Sequence, residues 1–169
     1  MKKFLYLIFI PLLTACPSSD EDCDDLRNLA IIPRLIKWEP IQDVYQQGDE
    51  ITISLEVPSE NNYYGRLVDF EEQTEDRTAK LILTINDNLE GNELTFIKGR
   101  RDDPWFAIPY SEETGNYELE FILTLNKLGE YLWISEDLFQ VNGGGCNRYE
   151  VQTNIDRDPL GGFRFEVVQ

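Results

Sequence analysis

The 169-residue sequence predicts an all-β domain, an antiparallel sandwich of about seven to ten short strands with little or no helix. Apolar and polar residues alternate with a period of two in several segments. Turn-forming glycine and asparagine residues separate these segments, and alanine, the strongest helix former, occurs only four times in the chain. A small closed barrel is the alternative arrangement of the same strands.

Period-two alternation marks the five most strongly predicted strands. Each places apolar side chains on one face and polar side chains on the other, as in a half-buried antiparallel strand. The apolar sets are Ile51, Ile53, Leu55 and Val57; Leu81, Leu83 and Ile85; Tyr117, Leu119, Phe121, Leu123 and Leu125; Tyr149, Val151, Thr153 and Ile155; and Phe163, Phe165 and Val167.

Weaker apolar segments are expected to complete the sheets. They are separated by turn signals such as Gln47-Gly48-Asp49 and Thr114-Gly115-Asn116. A single helical turn is the most that residues 24–32 are expected to form, because the chain lacks a sustained 3.6-residue apolar period. The weaker strands are expected at 35–38, 64–70, 94–98, 106–109, 131–134 and 138–141.

The amino-terminal segment has the features of a secretory leader. Two lysines precede an apolar run over 4–13, which is shorter than the roughly 20 residues needed to span a bilayer. Leu13-Thr14-Ala15-Cys16 follows, and it resembles the lipobox of bacterial lipoproteins. The resemblance implies a signal peptide over 1–15 and an acylated Cys16 that anchors the protein in the membrane. The alternative is an ordinary secretory leader cleaved near Ala15.

The residues after Cys16 are small and acidic, running from Pro17 to Asp22. They resemble the surface-export signal of Bacteroidota lipoproteins, which implies a position on the outer membrane facing the cell exterior. Without such export the same stretch is a plain flexible tether, since it cannot bury apolar surface. The expected organisation is therefore a lipidated tether over 16–30 and a sandwich domain over 31–169.

Two cysteines remain after Cys16 is assigned to the anchor. In the oxidising envelope compartment, Cys23 and Cys146 are expected to form a disulfide, with Cys146 brought to its partner by the preceding glycine run. Free thiols or an intermolecular bond are the alternatives.

Composition excludes several functions. The formal net charge is −17, which becomes −19 when Lys2 and Lys3 leave with the leader, so binding to nucleic acid phosphates is rejected. The chain has no histidine. This excludes Ser-His-Asp and Cys-His catalysis and every metal site that uses a histidine ligand.

Two short patterns specify the sandwich further. Leu128-Gly129-Glu130-Tyr131 resembles the tyrosine corner of immunoglobulin-like domains, in which Tyr131 bonds an upstream backbone group; Gly115-Asn116-Tyr117 is a second match. Trp133 stands where antibody domains have their second disulfide cysteine, and it is expected in the core. Tyr45-Gln46-Gln47-Gly48-Asp49 resembles the start of a strand in bacterial surface sandwiches, where Asp49 bonds the turn backbone.

Acidic residues offer two kinds of chemistry. Glu118 or Glu120 could form a cross-strand carboxylate pair with Glu56, as a glycoside hydrolase requires, but the sequence does not establish the pairing. The other candidate is a calcium site, because oxygen-bearing side chains at alternate positions suit that ion, although ordinary turns use the same residues. These side chains are Asn154, Asp156 and Asp158.

Three aromatic residues are the candidates for ligand binding: Trp105, Tyr63 and Tyr64. Exposed rings can anchor a glycan or a protein partner. Trp105 follows the charged stretch 100–104, and Tyr63 and Tyr64 lie in a polar loop. Arg100 and Arg101 are expected to pair with Asp102 and Asp103 rather than to bind an anion.

The predicted function is a non-catalytic binding or accessory role at the cell surface. The protein would capture an extracellular ligand or serve as a subunit of an envelope complex, with an envelope protein or a glycan as partner. A small glycoside hydrolase and a purely structural envelope component are the alternatives. No cofactor other than calcium is expected.

Overall fold

The computed structural model describes residues 28–83, 89–134, 137–144, 147–155 and 162–169. Within these ranges the chain forms fifteen short strands and one five-residue helix, which confirms the all-β prediction and exceeds the expected number of strands. No helix in this part of the chain is long and apolar enough to cross a bilayer.

The elements follow one another with short connections. The helix is α1, Phe70–Thr74. The strands are β1 (Asn28–Ile31), β2 (Ile36–Glu39), β3 (Val44–Gln46), β4 (Glu50–Pro58), β5 (Glu60–Asn61), β6 (Val68–Asp69), β7 (Thr78–Ile82), β8 (Glu93–Lys98), β9 (Arg100–Asp102), β10 (Trp105–Ser111), β11 (Asn116–Thr124), β12 (Gly129–Ile134), β13 (Asp137–Asn142), β14 (Arg148–Thr153) and β15 (Gly162–Val168).

The strands form one large curled sheet and two small ones. The large sheet has the order β1-β14-β13-β7-β10-β11-β4-β2, with β8 beside β11 and β9 beside β10. The small sheets are β12-β15-β3 and β5-β6. The sheets are mixed, because β1 runs parallel to β14 and β3 parallel to β15. The expectation of purely antiparallel pairing is therefore wrong: strands from the two ends of the chain pair here, and the long intervening chain permits parallel pairing.

The large sheet divides where β10 and β11 separate. These strands pair only at Tyr110↔Tyr117 and Ser111↔Asn116, after which β10 follows β7 and β11 follows β4. The segment β8–β9 fills the opening, with β8 along β11 and β9 along β10. We call β1-β14-β13-β7-β10-β9 the first half of the sheet and β2-β4-β11-β8 the second half.

Aromatic side chains join these layers. Phe106 of the first half stacks on Phe121 of the second, with ring centroids 5.4 Å apart. Trp38 of β2 meets Trp133 of β12 edge-on at 5.3 Å, so the second half packs against the three-stranded sheet. The predicted alternation is confirmed, because Ile51 to Val57 and Tyr117 to Leu125 bury every second side chain.

Both predicted local patterns form the expected hydrogen bonds. The Tyr131 hydroxyl donates to the Lys127 carbonyl at 2.7 Å. Asp49 Oδ2 accepts from the Gln46 amide at 2.8 Å, and Gly48 adopts φ +93° in the turn. Trp133 is fully buried, as predicted.

Two local predictions are wrong. Within 64–70 only Val68–Asp69 is a strand. A turn precedes it, in which the Gly65 amide donates to the Asn62 carbonyl at 3.1 Å, and a helix follows it, capped by Asp69 Oδ1, which accepts from the Glu72 amide at 3.1 Å. Residues 28–31, expected in a helical turn and partly in the tether, form β1. Backbone pairing with β14 decides their conformation.

Candidate functional site

The candidate site lies on the outer side of β10. Phe106 and Ile108 point into the core and are buried. Because side chains alternate along a strand, Trp105, Ala107 and Pro109 share the opposite side. We call the surface formed by these three residues and their cross-strand neighbours the β10 face.

Two cations flank the centre of the β10 face. Ala107 is the register partner of Lys80 on β7 and of Arg100 on β9. Neighbouring strands lie about 4.8 Å apart, so the backbones of Lys80 and Arg100 are separated by about 10 Å with the short Ala107 side chain between them. Neither cation forms an ion pair with a described carboxylate.

Trp105 borders this pair of cations. Its side chain is half-buried, and the Lys80 ammonium lies 4.5 Å from the ring centroid in a cation–π contact. Of the two arginines expected to pair locally, Arg101 does so, with Nε 2.5 Å from Asp103 Oδ1. Arg100 forms no ion pair with Asp102, although the two lie two residues apart on the same side of β9.

A groove of about 620 Å³ continues from the β10 face. It lies between the connection from β8 to β9 and the hairpin of β10 and β11, and Pro109 belongs to both the face and the groove. Trp105 and Pro109 are four residues apart, which in a strand is about 13 Å. The face and the groove therefore form one elongated surface. The groove is also lined by Ile97, Lys98, Gly99, Tyr110, Ser111, Glu113, Thr114 and Glu118.

An ion pair fixes the polar side of the groove. Lys98 Nζ lies 2.7 Å from Glu118 Oε2, and the Thr114 hydroxyl donates to Glu118 Oε1 at 2.9 Å. The hydrogen bond from Lys98 lowers the pKa of Glu118 below its ordinary value of 4.5, against the opposing effect of burial, and the bond from Thr114 lowers it further. Glu118 is therefore a carboxylate at neutral pH.

The structure defines the strand register of the carboxylate pair that the sequence did not establish. Glu118 is the direct partner of Glu56. A glycoside hydrolase needs one carboxyl with a raised pKa to protonate the leaving group. The lowered pKa of Glu118 is the opposite of that requirement. Glu118 therefore suits a structural or binding role better than that of a general acid.

Replacing Glu118 by glutamine is expected to destabilise the protein by about 1 kcal/mol at pH 7, because the charged hydrogen bond to the half-exposed Lys98 is lost. The folded-state pKa of Glu118 lies below its unfolded value, so this contribution is present above pH 4.5 and is lost as the pH falls through the folded pKa. Urea unfolding of the wild type and of Glu118→Gln should show that the difference between their free energies of unfolding becomes smaller from pH 7 to pH 3. Glu130→Gln, at an exposed position on β12, is the control and should show no such trend. A pH-independent difference for Glu118→Gln would contradict the expectation.

The other two aromatic candidates lie elsewhere. The Tyr64 hydroxyl donates to the Glu150 carbonyl at 2.9 Å, and its ring packs on Tyr149 at 5.3 Å on the inner side of the first half. Burial raises the pKa of both Tyr63 and Tyr64. Both side chains are half-buried. Since Trp105 is on the outer side, the structure does not bring the three predicted residues into one site.

The remaining predicted site residues are mostly outside the described ranges. These are Cys16, Cys23, Cys146, Asp156 and Asp158. Asn154 is described, and its Oδ1 accepts from the Arg34 amide at 2.7 Å. Across the parts of the chain that the structure describes, no group of three acidic or cysteine side chains is arranged to hold a metal ion.

Sequence reasoning missed Lys80 and misjudged Arg100. Lys80 carries a local signal, since it lies between Ala79 and Leu81 in an alternating segment and must point outward. Arg100 has acidic neighbours that suggested a local pair. Their placement on the two sides of Ala107 depends on strand register, which the sequence does not reveal.

Comparisons with protein-family models, with curated proteins and with solved structures find no match to this chain.

Proposed function

We propose that this protein is a lipid-anchored outer-membrane surface protein with a non-catalytic role, and that it captures an extracellular ligand on the β10 face. The observation that carries the proposal is a half-buried tryptophan in contact with Lys80 and close to Arg100, two cations that form no ion pair with a described carboxylate, on a surface that continues into a groove. Other cations, among them Lys37 and Lys127, also lack an acidic partner in the described part of the chain; Lys80 and Arg100 are distinguished by their positions on either side of Ala107. Trp105, Lys80 and Arg100 are the proposed binding residues.

An immunoglobulin-like core is part of the proposal. The second half of the sheet, β2-β4-β11-β8, packs through Trp38 on β3-β15-β12. Two packed layers of this kind with the Tyr131 corner support an immunoglobulin-like sandwich. In this proposal β7, β13 and β14 are additional strands that extend the sheet beyond the two packed layers. The β10 face lies on the outer side of this extended sheet.

Two other functions are weaker. At the Glu118–Glu56 pair, Glu118 is held ionised and does not suit the general acid that a glycoside hydrolase needs. A purely structural component is favoured only by exposed apolar side chains on the edge strand β1, where Ile31 is 70% exposed and Leu29 52% exposed. Neither alternative explains the placement of Trp105 with Lys80 and Arg100 on one side of β10.

Site-specific photo-crosslinking in intact cells tests ligand capture. A benzophenone amino acid replaces Asp102, which is exposed and lies opposite Trp105, and in a matched variant it replaces the exposed Lys37 on β2. We expect a crosslinked product from position 102 and none from position 37. Absence of a product at 102 would contradict ligand capture on this face. One envelope protein crosslinked in stoichiometric amount from both positions would instead identify an accessory subunit.

Metabolic labelling with a palmitate analogue tests the anchor. The wild-type chain is expected to incorporate the label and to sediment with outer membranes, whereas Cys16→Ala should lose both properties, because acylation of this thiol supplies the anchor. Protease treatment of whole cells then reports whether the domain faces the exterior. Labelling of the Cys16→Ala variant would refute the assignment of the anchor.

A further inference from the structure

We infer that the β10 face binds an anionic polysaccharide, with Lys80 and Arg100 holding its acidic groups and Trp105 contacting a sugar ring. This inference rests on the proposed function and specifies its ligand class. It follows from the charge, the shape and the backbone pairing of the face.

The charge of the face differs from that of the whole chain. The net charge is −17, yet Lys80 and Arg100 lie on either side of Ala107 without an acidic partner among the described residues. The face also carries one carboxylate, Asp102, opposite Trp105. At physiological salt the screening length is about 8 Å, so a bound acidic group beside Ala107 experiences the two cations more than carboxylates away from the face. A guanidinium also binds carboxylate or sulfate oxygens through two parallel hydrogen bonds.

The shape of the face suits a chain of sugars. Ala107 is only 2% exposed and its side chain is short, so the two long cationic side chains rise beside a shallow centre. They can converge on one acidic group or hold acidic groups on neighbouring sugar units. The surface extends about 13 Å from Trp105 to Pro109 and continues into the groove, where Ser111 and Thr114 supply hydroxyl groups.

Trp105 has a double role in this arrangement. Its ring holds the Lys80 ammonium at 4.5 Å, which keeps the cation on the face when no ligand is present. Cation–π contacts at exposed sites are weak, so an acidic group can draw Lys80 from the ring. The uncovered ring then offers an apolar surface to the carbon-bound hydrogens of a sugar.

Backbone pairing argues against a peptide that adds to β10 as a strand. Phe106 and Ala107 are paired with β7 on one side and with β9 on the other, so β10 offers no backbone groups there to an added strand. A peptide that binds by strand addition needs an open edge. A ligand over the centre of the face, at Ala107, is therefore recognised by side chains, as an acidic polysaccharide would be.

Binding of defined polymers to the lipidated protein in mild detergent tests the inference. The probes are dextran and dextran sulfate, which differ only in charge, together with polygalacturonate and poly-L-glutamate. We expect binding to dextran sulfate or polygalacturonate and none to dextran; whichever of the two binds identifies sulfate or carboxylate as the recognised group. Lys80→Gln and Arg100→Gln should each weaken binding about tenfold, the order expected for one charge-assisted hydrogen bond. Lys37→Gln changes the net charge equally and should bind like the wild type.

The outcomes separate the ligand class from the proposed function. Equal binding of dextran and the acidic polymers would overturn the role of the cations. Poly-L-glutamate binding as tightly as the acidic polysaccharides would overturn the saccharide class. Failure of every polymer to bind, with a persisting crosslink at position 102, would overturn this inference and leave ligand capture intact. Urea unfolding midpoints of the variants confirm that each remains folded.

Discussion

Replacing Trp38 by alanine is expected to lower the free energy of unfolding by about 3–5 kcal/mol, the range for deleting a large buried aromatic side chain. Trp38 is 1% exposed. Its ring lies 5.3–5.5 Å from the rings of Trp133, Phe163 and Phe165, so the cavity would open at the contact between the two layers. Because net stabilities of domains are about 5–15 kcal/mol, this loss is a large fraction of the total.

Urea unfolding followed by intrinsic fluorescence and circular dichroism measures this effect. Trp38→Phe is the control, since it keeps an aromatic ring and loses the hydrogen bond from Trp38 Nε1 to the Tyr45 hydroxyl at 2.9 Å. The Tyr45 hydroxyl still bonds the Pro40 carbonyl and the Gln42 amide, so it stays satisfied and the loss should be smaller. A cost below about 1 kcal/mol for Trp38→Ala would refute its role in joining the layers.

Substituting Gly99 by alanine is expected to lower the free energy of unfolding by about 2–4 kcal/mol, through backbone strain and close contacts. Gly99 has φ +83°, a conformation that L residues with a side chain rarely adopt. An added Cβ would lie 2.7 Å from Leu119 Cδ1 and 2.8 Å from the Ala107 carbonyl oxygen. The backbone oxygen cannot move without disturbing the pairing of β9 with β10, because Ala107 is the register partner of Arg100.

Gly115→Ala separates the two contributions. Gly115 has φ +71°, but no described atom lies within 4 Å of the added Cβ. Gly115→Ala should therefore lower the free energy of unfolding only by the strain of the backbone conformation, about 1 kcal/mol. Chemical denaturation of both variants measures the difference. Equal losses would show that Gly99 is not required for the close approach of β8–β9 to β10.

The features of this protein that the sequence predicted depend on residues close together in the chain. Side chains alternate because of strand geometry, so Ile51 to Val57 reveal their buried face directly. Asp49 bonds the backbone three residues before it, and Tyr131 bonds the backbone four residues before it. The all-β class, several strands, the buried Trp133 and both turn motifs were predictable for this reason.

The features that the sequence did not predict depend on which strands become neighbours. The parallel pairing of β1 with β14 overrides the local preference of residues 28–31. Glu118 meets Glu56 only through the register of β11 with β4, and the bond to Lys98 that keeps it ionised comes from a different strand. Tyr64 and Trp105 belong to opposite sides of one sheet, a relation that spacing along the chain cannot show.

The candidate site contains both kinds of feature, those that the sequence predicted and those that it did not. The sequence alone identified Trp105 as a ring beside a charged stretch. It did not select Lys80 as a site residue, although the position between Ala79 and Leu81 is that of an outward side chain. Only the tertiary structure set Lys80 and Arg100 on either side of Ala107. The physical reason is that side-chain alternation is set by the backbone of one strand, whereas register is set by packing between strands distant in the chain.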